Sequence, residues 1–151
     1  MLCKCQARLR ATPFKNLALA AGPNVDFPWM AYNVSVLHEP HFLLVEGAGR
    51  ATLAELCGSI DLVATIASMS GARRALLNLL GVEIDFPLSV HLQLGMYAAD
   101  KLRGLERVAS VVPPDKRTGS SERAAQKMGL RLRTFTTIAE GMEWIAGRTS
   151  R

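Results

Sequence analysis

Cysteine is scarce in this chain: Cys3, Cys5 and Cys57 are the only three among 151 residues. An odd number at irregular spacing forms no disulfide framework, so stability has to come from a hydrophobic core. Aromatic residues are thin as well, at 6%, and no aromatic-basic stripe or helix-turn-helix signature occurs, which argues against a nucleic-acid reader. No apolar run reaches membrane-spanning length, so no membrane span is expected. Also missing are a glycine-rich nucleotide fingerprint, a nucleophile elbow and a metal-ligand set, so no cofactor or metal is expected. No sequence repeat occurs, and no low-complexity segment or linker follows Met30.

What is present is a globular composition, with 49% hydrophobic and 21% charged residues, in a length that suits one domain with a real core. The net charge of +5 is uneven: residues 1–29 hold Lys4, Arg8, Arg10 and Lys15 against Asp26, leaving +2 for the rest. That segment has no regular apolar period and reads as a tail (1–29), ahead of a domain over 30–147 and a short C-terminal tail (148–151). "NLALAAG" is short and weak beside a secretory h-region. A translation start at Met30, opening directly onto a strand pattern, is the plainer expectation. The Cys3-Lys4-Cys5 spacing is tighter than a usual zinc pair, and His38 and His41 read as flanking a Glu39-Pro40 turn rather than as ligands. Cys57 falls in a helical apolar pattern, as reduced buried thiols do, and points to a reducing cytoplasm.

From Tyr32 onward the pattern is regular. Val34 and Val36 alternate with polar neighbours, "HEPH" turns, and residues 42–46 return as a second strand that Gly47 and Gly49 are expected to end. Thr52 and Glu55 have capping-box spacing, and Leu53, Leu56, Cys57, Ile60, Val63 and Ala67 share a helical face that stops at Gly71. Residues 74–80 are a nearly continuous apolar run, the mark of a strand covered on both faces. A helix over 88–102, a strand over 107–112, a helix over 120–128 and a strand over 130–135 follow. Thr137 and Glu140 repeat the capping spacing before a helix carrying Ile138, Met142, Trp144 and Ile145. The order ββαβαβαβα predicts an α/β fold: a mixed, mostly parallel sheet covered by about four helices.

This order resembles a STAS domain, the fold of bacterial anti-sigma factor antagonists, over residues 31–146. The likeness is carried by "LLNLLGVEIDFPLS", running from a buried strand into a helix, and by the ending "LRLRTFTTIAEGMEWI". The resemblance implies a turn after the third strand bearing an Asp-Ser-Ser-Gly-like motif, whose serine a partner kinase phosphorylates and a phosphatase restores. A phosphate there meets the free amides and positive end of a helix. The matching stretch here is "DFPL": Asp85 matches the acid, but Phe86 and Pro87 occupy the hydroxyl positions, so the phosphoswitch does not carry over. Ser89 is the nearest alternative acceptor. On residues alone, Asp85 is expected to cap the helix and Pro87 to sit in its first turn.

Ser89, His91 and Asp85 cluster in sequence, but Ser89 and His91 point about 200° apart on a helix and form no local dyad. On the helix over 88–102, Leu88, Leu92, Gly95, Ala99 and Leu102, with Met96 at the edge, are expected to form the core face. Ser89, Gln93 and Asp100 line one flank. Val90, Leu94 and Tyr97, with Lys101 beside them, form a second apolar stripe, either a contact with a neighbouring helix or tail, or a docking surface. The expected function is a non-catalytic regulatory protein-interaction module of the anti-sigma factor antagonist kind. It would bind a regulator, a sensor kinase or a second copy of the chain through Asp85, Phe86, Ser89, Val90, Leu94 and Tyr97. The alternative is a small-molecule or lipid-binding domain, with Arg50, Asp85, Lys116 and Arg117 near the carboxyl ends of the strands receiving an acidic ligand.

Overall fold

The structure, a computed structural model, describes residues 31–147. The expected tail and the Cys3/Cys5 pair lie outside the described residues. The elements run β1 (Asn33–His38), β2 (Leu43–Arg50), α1 (Leu53–Ser70), β3 (Arg74–Glu83), α2 (Leu88–Lys101), β4 (Arg107–Val111), a 3-10 turn (Pro114–Lys116), α3 (Ser120–Lys127), β5 (Leu132–Phe135) and α4 (Ile138–Ile145). This is the α/β order expected from the sequence.

The sheet has strand order β1-β2-β3-β4-β5, with β1 antiparallel to β2 and the other pairs parallel. Each new parallel strand is added on the same side of the last, so crossovers of one hand place α1, α2 and α3 on one face. There Ile60 and Val63 of α1, Ala98 and Ala99 of α2 with its C-cap Leu102, and Ala125 of α3 pack on Val45, Ala75, Val108 and Leu132. No strand follows α4, and it folds back onto the other face, where Trp144 and Ile145 cover Leu76, Ala109 and Val111. Gly141 lets it approach: a Cβ there would lie 3.1 Å from both Leu76 Cδ1 and Val111 Cγ2. Leu76 and Ala75 thus bury opposite faces of β3, the two-sided cover its apolar run implied.

Local signals at the helix ends act as read. Thr52 and Glu55 make both bonds of the capping box, Gly71 closes α1 at φ 74°, and Thr137 accepts from the Glu140 amide. By length and composition alone, α1 is apolar enough to cross a membrane, at 18 residues and mean hydropathy 1.3. Its Leu56, Ile60, Val63 and Ala67 are buried inside the domain. Cys57 is half-buried, and burial first, then the Asp61 charge, pushes its thiol pKa up.

Three expectations need correcting. Gly47 and Gly49 do not end β2: the strand runs through them to Arg50, with an irregularity between Glu46 and Ala48, and pairs with Gly81, Val82 and Glu83. Gly47 is there for space, since a Cβ would sit 2.9 Å from Val82 Cγ2 and 3.0 Å from the Tyr32 hydroxyl. Asp85 does not cap α2. The N-cap is Pro87, which supplies no side-chain cap bond.

The third correction is the core face of α2. Leu88, Leu92 and Met96 are 61%, 39% and 50% exposed, whereas Gly95, Ala98, Ala99 and Leu102 are buried and Leu94 packs on two core clusters. The buried arc is rotated by about 50° from the one centred on the leucines. The reason is close approach: α2 turns its small residues inward, and a methyl on Gly95 would overlap the Ser121 carbonyl at the start of α3. A large side chain on that line would hold the helices apart.

Candidate functional site

The carboxyl ends of parallel strands lie along one edge of the sheet, and two connections there carry the residues singled out from the sequence. The first is the β3–α2 turn. Asp85 and Ser89 are exposed. Phe86 is half-buried, packed against the cluster of Ala51, Leu56 and Val82, with its ring centroid 6.0 Å from that of His91. On α2, Leu94 faces the core. Tyr97 reaches α1, where its hydroxyl donates to the Asp61 carboxylate at 2.8 Å. That hydrogen bond, with lesser contributions from burial and the Asp61 charge, pushes the phenol pKa up to about 12. Lys101 lies 5.6 Å above the same ring. Leu94 and Tyr97 of the expected stripe are therefore contacts within the chain, Val90 is half-buried, and the large apolar residues that α2 exposes are Leu88, Leu92 and Met96.

The second connection is the loop from β4 to α3. It forms one wall of a cleft of about 290 Å³, whose other wall is the β3–α2 turn and the inner side of α2. Asp85, Lys116 and Arg117 meet on this cleft, together with His91, Phe86 and Asp115. Arg50 does not: it extends from the end of β2 and pairs with Glu83 at 3.7 Å. Ser89 does not line the cleft either, so Asp85 and His91 share it without the serine of the proposed cluster. Among the described residues no group of three or more His, Cys, Asp or Glu side chains is placed to hold a metal ion.

Behind the cleft lies an inner cavity of about 90 Å³ between the sheet and the three helices. Leu56, Ile60, Val63, Leu102 and Leu132 make its far end apolar, and Leu79, Ile84, Leu94, Ser110, Ser121 and Thr134 line both spaces, so one opens into the other. Ser110 and Thr134 are the buried polar residues of the described domain. They face each other across the β4–β5 ladder. Sequence reasoning passed over them, although the signal was available: each stands two residues after a core residue, Val108 or Leu132, on an inward-facing strand position where an aliphatic side chain is the rule.

No protein-family model matches the chain, and no curated protein matches it. Solved structures do. One is an anti-sigma factor antagonist from Mycobacterium paratuberculosis, with TM-score 0.54 at 10% identity, covering 77% of this chain and 95% of that one. An uncharacterised Shewanella loihica protein with a SpoIIAA-like fold gives TM-score 0.48 at 13% identity, covering 76% of this chain and 93% of that one. The anti-sigma factor antagonist SpoIIAA in its unphosphorylated form gives 0.48 at 11%, covering 80% and 100%. The mycobacterial match, together with the mostly parallel five-stranded sheet and its four helices, shows that this chain has a STAS-like fold, the fold of the anti-sigma factor antagonists.

Proposed function

We propose that the chain is a non-catalytic regulatory module of bacterial, cytoplasmic type that works by binding another protein through the β3–α2 turn and the outward face of α2. The observation that carries this reading is the stripe Leu88, Leu92 and Met96. It is 61%, 39% and 50% exposed, at successive four-residue steps, and begins one residue after the turn that holds Asp85 and Phe86. Single exposed apolar residues are ordinary, but an aligned row on one helix face is the footprint of a helix that packs on something else. Asp85, Phe86 and Ser89 border the row. A likeness to anti-sigma factor antagonists makes an anti-sigma-type regulator kinase the partner to try first, with a second copy of this chain the other occupant. Without a hydroxyl at Phe86 or Pro87, docking here is not gated as it is in the phosphorylated relatives.

The test pairs two leucines two residues apart. Leu92→Asp should leave the melting temperature within a few degrees and abolish binding to a regulator kinase of the same genome, or dimerisation in sedimentation equilibrium. Leu94→Asp buries a charge against the core and should unfold the protein or cost several kcal/mol. Unchanged association in Leu92→Asp would refute the surface. Incubation with the kinase and ATP should leave the intact mass unchanged, and a stoichiometric phosphate on Ser89 would overturn the ungated reading.

A further inference from the structure

We infer that the cleft between α2 and the β4–α3 loop, with the cavity behind it, is a binding site for a small amphipathic anion: a carboxylate carrying an unbranched hydrocarbon tail. This goes beyond protein docking on the outer face of α2 and does not depend on it. The inference starts from the buried hydroxyls. Ser110 and Thr134 are each 8% exposed, neither hydroxyl bonds another of the described residues, and no buried side-chain oxygen there is sealed without a partner, so both oxygens reach the open passage. A hydroxyl that opens onto such a passage bonds water or whatever displaces it, which a valine at either strand position could not do. Both hydroxyl residues, with Ser121 of α3, line the passage where the cleft narrows into the cavity, so they are poised to bond what enters.

The two ends of the passage differ in chemistry. The inner cavity of about 90 Å³ is walled mainly by aliphatic side chains, and the Ser59 and Tyr32 hydroxyls that also line it are bonded to each other at 3.1 Å. Because a cavity of about 150 Å³ holds the six carbons of benzene, this one holds about four carbons. The outer cleft, about 290 Å³, has room for the remainder of a chain and its head group. Lys116 and Arg117 stand on its rim, with no ion pair among the described residues. Asp85 and Asp115 stand on the same rim and balance them in formal charge, with His91 beside them. The balance is tipped by α3, whose N-cap is Gly119 at φ 74° with no side-chain cap bond. The Ser120 amide donates to Thr118 Oγ1 at 3.4 Å, which leaves the Ser121 and Glu122 amides and the positive end of the dipole for an anion. Glu122, in that first turn, is held aside by the Thr134 amide at 2.8 Å and does not line the cleft. Tail, hydroxyl junction and positive end lie in that order from the core outward, the order of a fatty acid of roughly four to eight carbons.

The full chain is titrated by calorimetry with sodium butanoate, hexanoate and octanoate, and with octylammonium chloride as the charge-reversed control. The expected result is saturable binding that tightens roughly fourfold per added methylene until the cavity is full, with octylammonium at least tenfold weaker than octanoate. Lys116→Glu combined with Arg117→Glu changes exposed side chains alone. It should leave the melting temperature of the free protein unchanged and weaken octanoate tenfold or more. Absence of saturable octanoate binding at millimolar concentration, equal binding of octylammonium, or unaltered octanoate affinity in the double variant would each overturn the inference.

Discussion

Replacing Gly95 by alanine adds one methyl group in the middle of α2, a change that helix propensity alone favours by about 1 kcal/mol. The structure reverses the sign. A Cβ at Gly95 would lie 2.9 Å from the Ser121 Cα and would overlap its carbonyl, and these are backbone atoms that cannot rotate away. Either α2 moves outward from α3, opening the packing of Ala98, Ala99 and Leu102, or α3 shifts on the sheet. Overpacking of this kind costs about 1–3 kcal/mol, and a backbone obstacle belongs at the upper end. With the propensity gain subtracted, about 2 kcal/mol of destabilisation remains, or a fall of about 8 °C in melting temperature for a domain of this size. Gly58 is the control, being also mid-helix, in α1, with nothing within 4 Å of an added Cβ. Gly58→Ala should therefore raise stability by about 0.5–1 kcal/mol. Both variants are read by thermal and urea unfolding followed by circular dichroism. A Gly95→Ala protein as stable as the parent would refute the packing of α2 on α3 described above.

In an ultraviolet titration of the phenols, Tyr97 should ionise late, near its raised pKa of about 12, and the late component should vanish in Tyr97→Phe. Because the folded value is raised above the ordinary 10.0, the Tyr97–Asp61 bond contributes stability that is complete below pH 10 and is lost as pH rises through the folded value. In a Cys3→Ser, Cys5→Ser background, Cys57 should react more slowly with a disulfide reagent at pH 8 than a free thiol does. Asp61→Asn should recover part of the rate, the rest being owed to burial. Deleting residues 1–29 should change the melting temperature little, since that segment has no periodic apolar face. A drop of ten degrees, about 2 kcal/mol or more, would show that it packs on the domain.

The legible features were those encoded by neighbours in the chain. Thr52 and Glu55 are three residues apart and meet by helix geometry alone, so the capping box could be read directly. The alternation of strand and helix patterns could be read the same way, and with the one-handedness of crossovers it led to the mostly parallel sheet. The cleft was half legible: Asp85, Lys116 and Arg117 were placed near the strand ends and do meet there, while Arg50, the last residue of β2, stands beside Glu83 outside the cleft because the β2–β3 register puts it there. Ser110 and Thr134 could be placed on inward-facing positions by their spacing from Val108 and Leu132, but that they stand opposite each other on one passage follows only from the β4–β5 register.

The sequence by itself determined the elements, their order and the sheet they build, because caps, turns and apolar periods act over a few residues. Only the tertiary structure decided how far each helix is rolled about its axis. On α2 the leucines drew the expected core face to Leu88 and Leu92, yet those residues are exposed and the helix turns Gly95, Ala98 and Ala99 inward. Hydrophobicity measures how much a side chain gains from burial. How near two backbones can come depends on what is absent from the contact, and the closer packing of small residues outweighed the burial of two large ones.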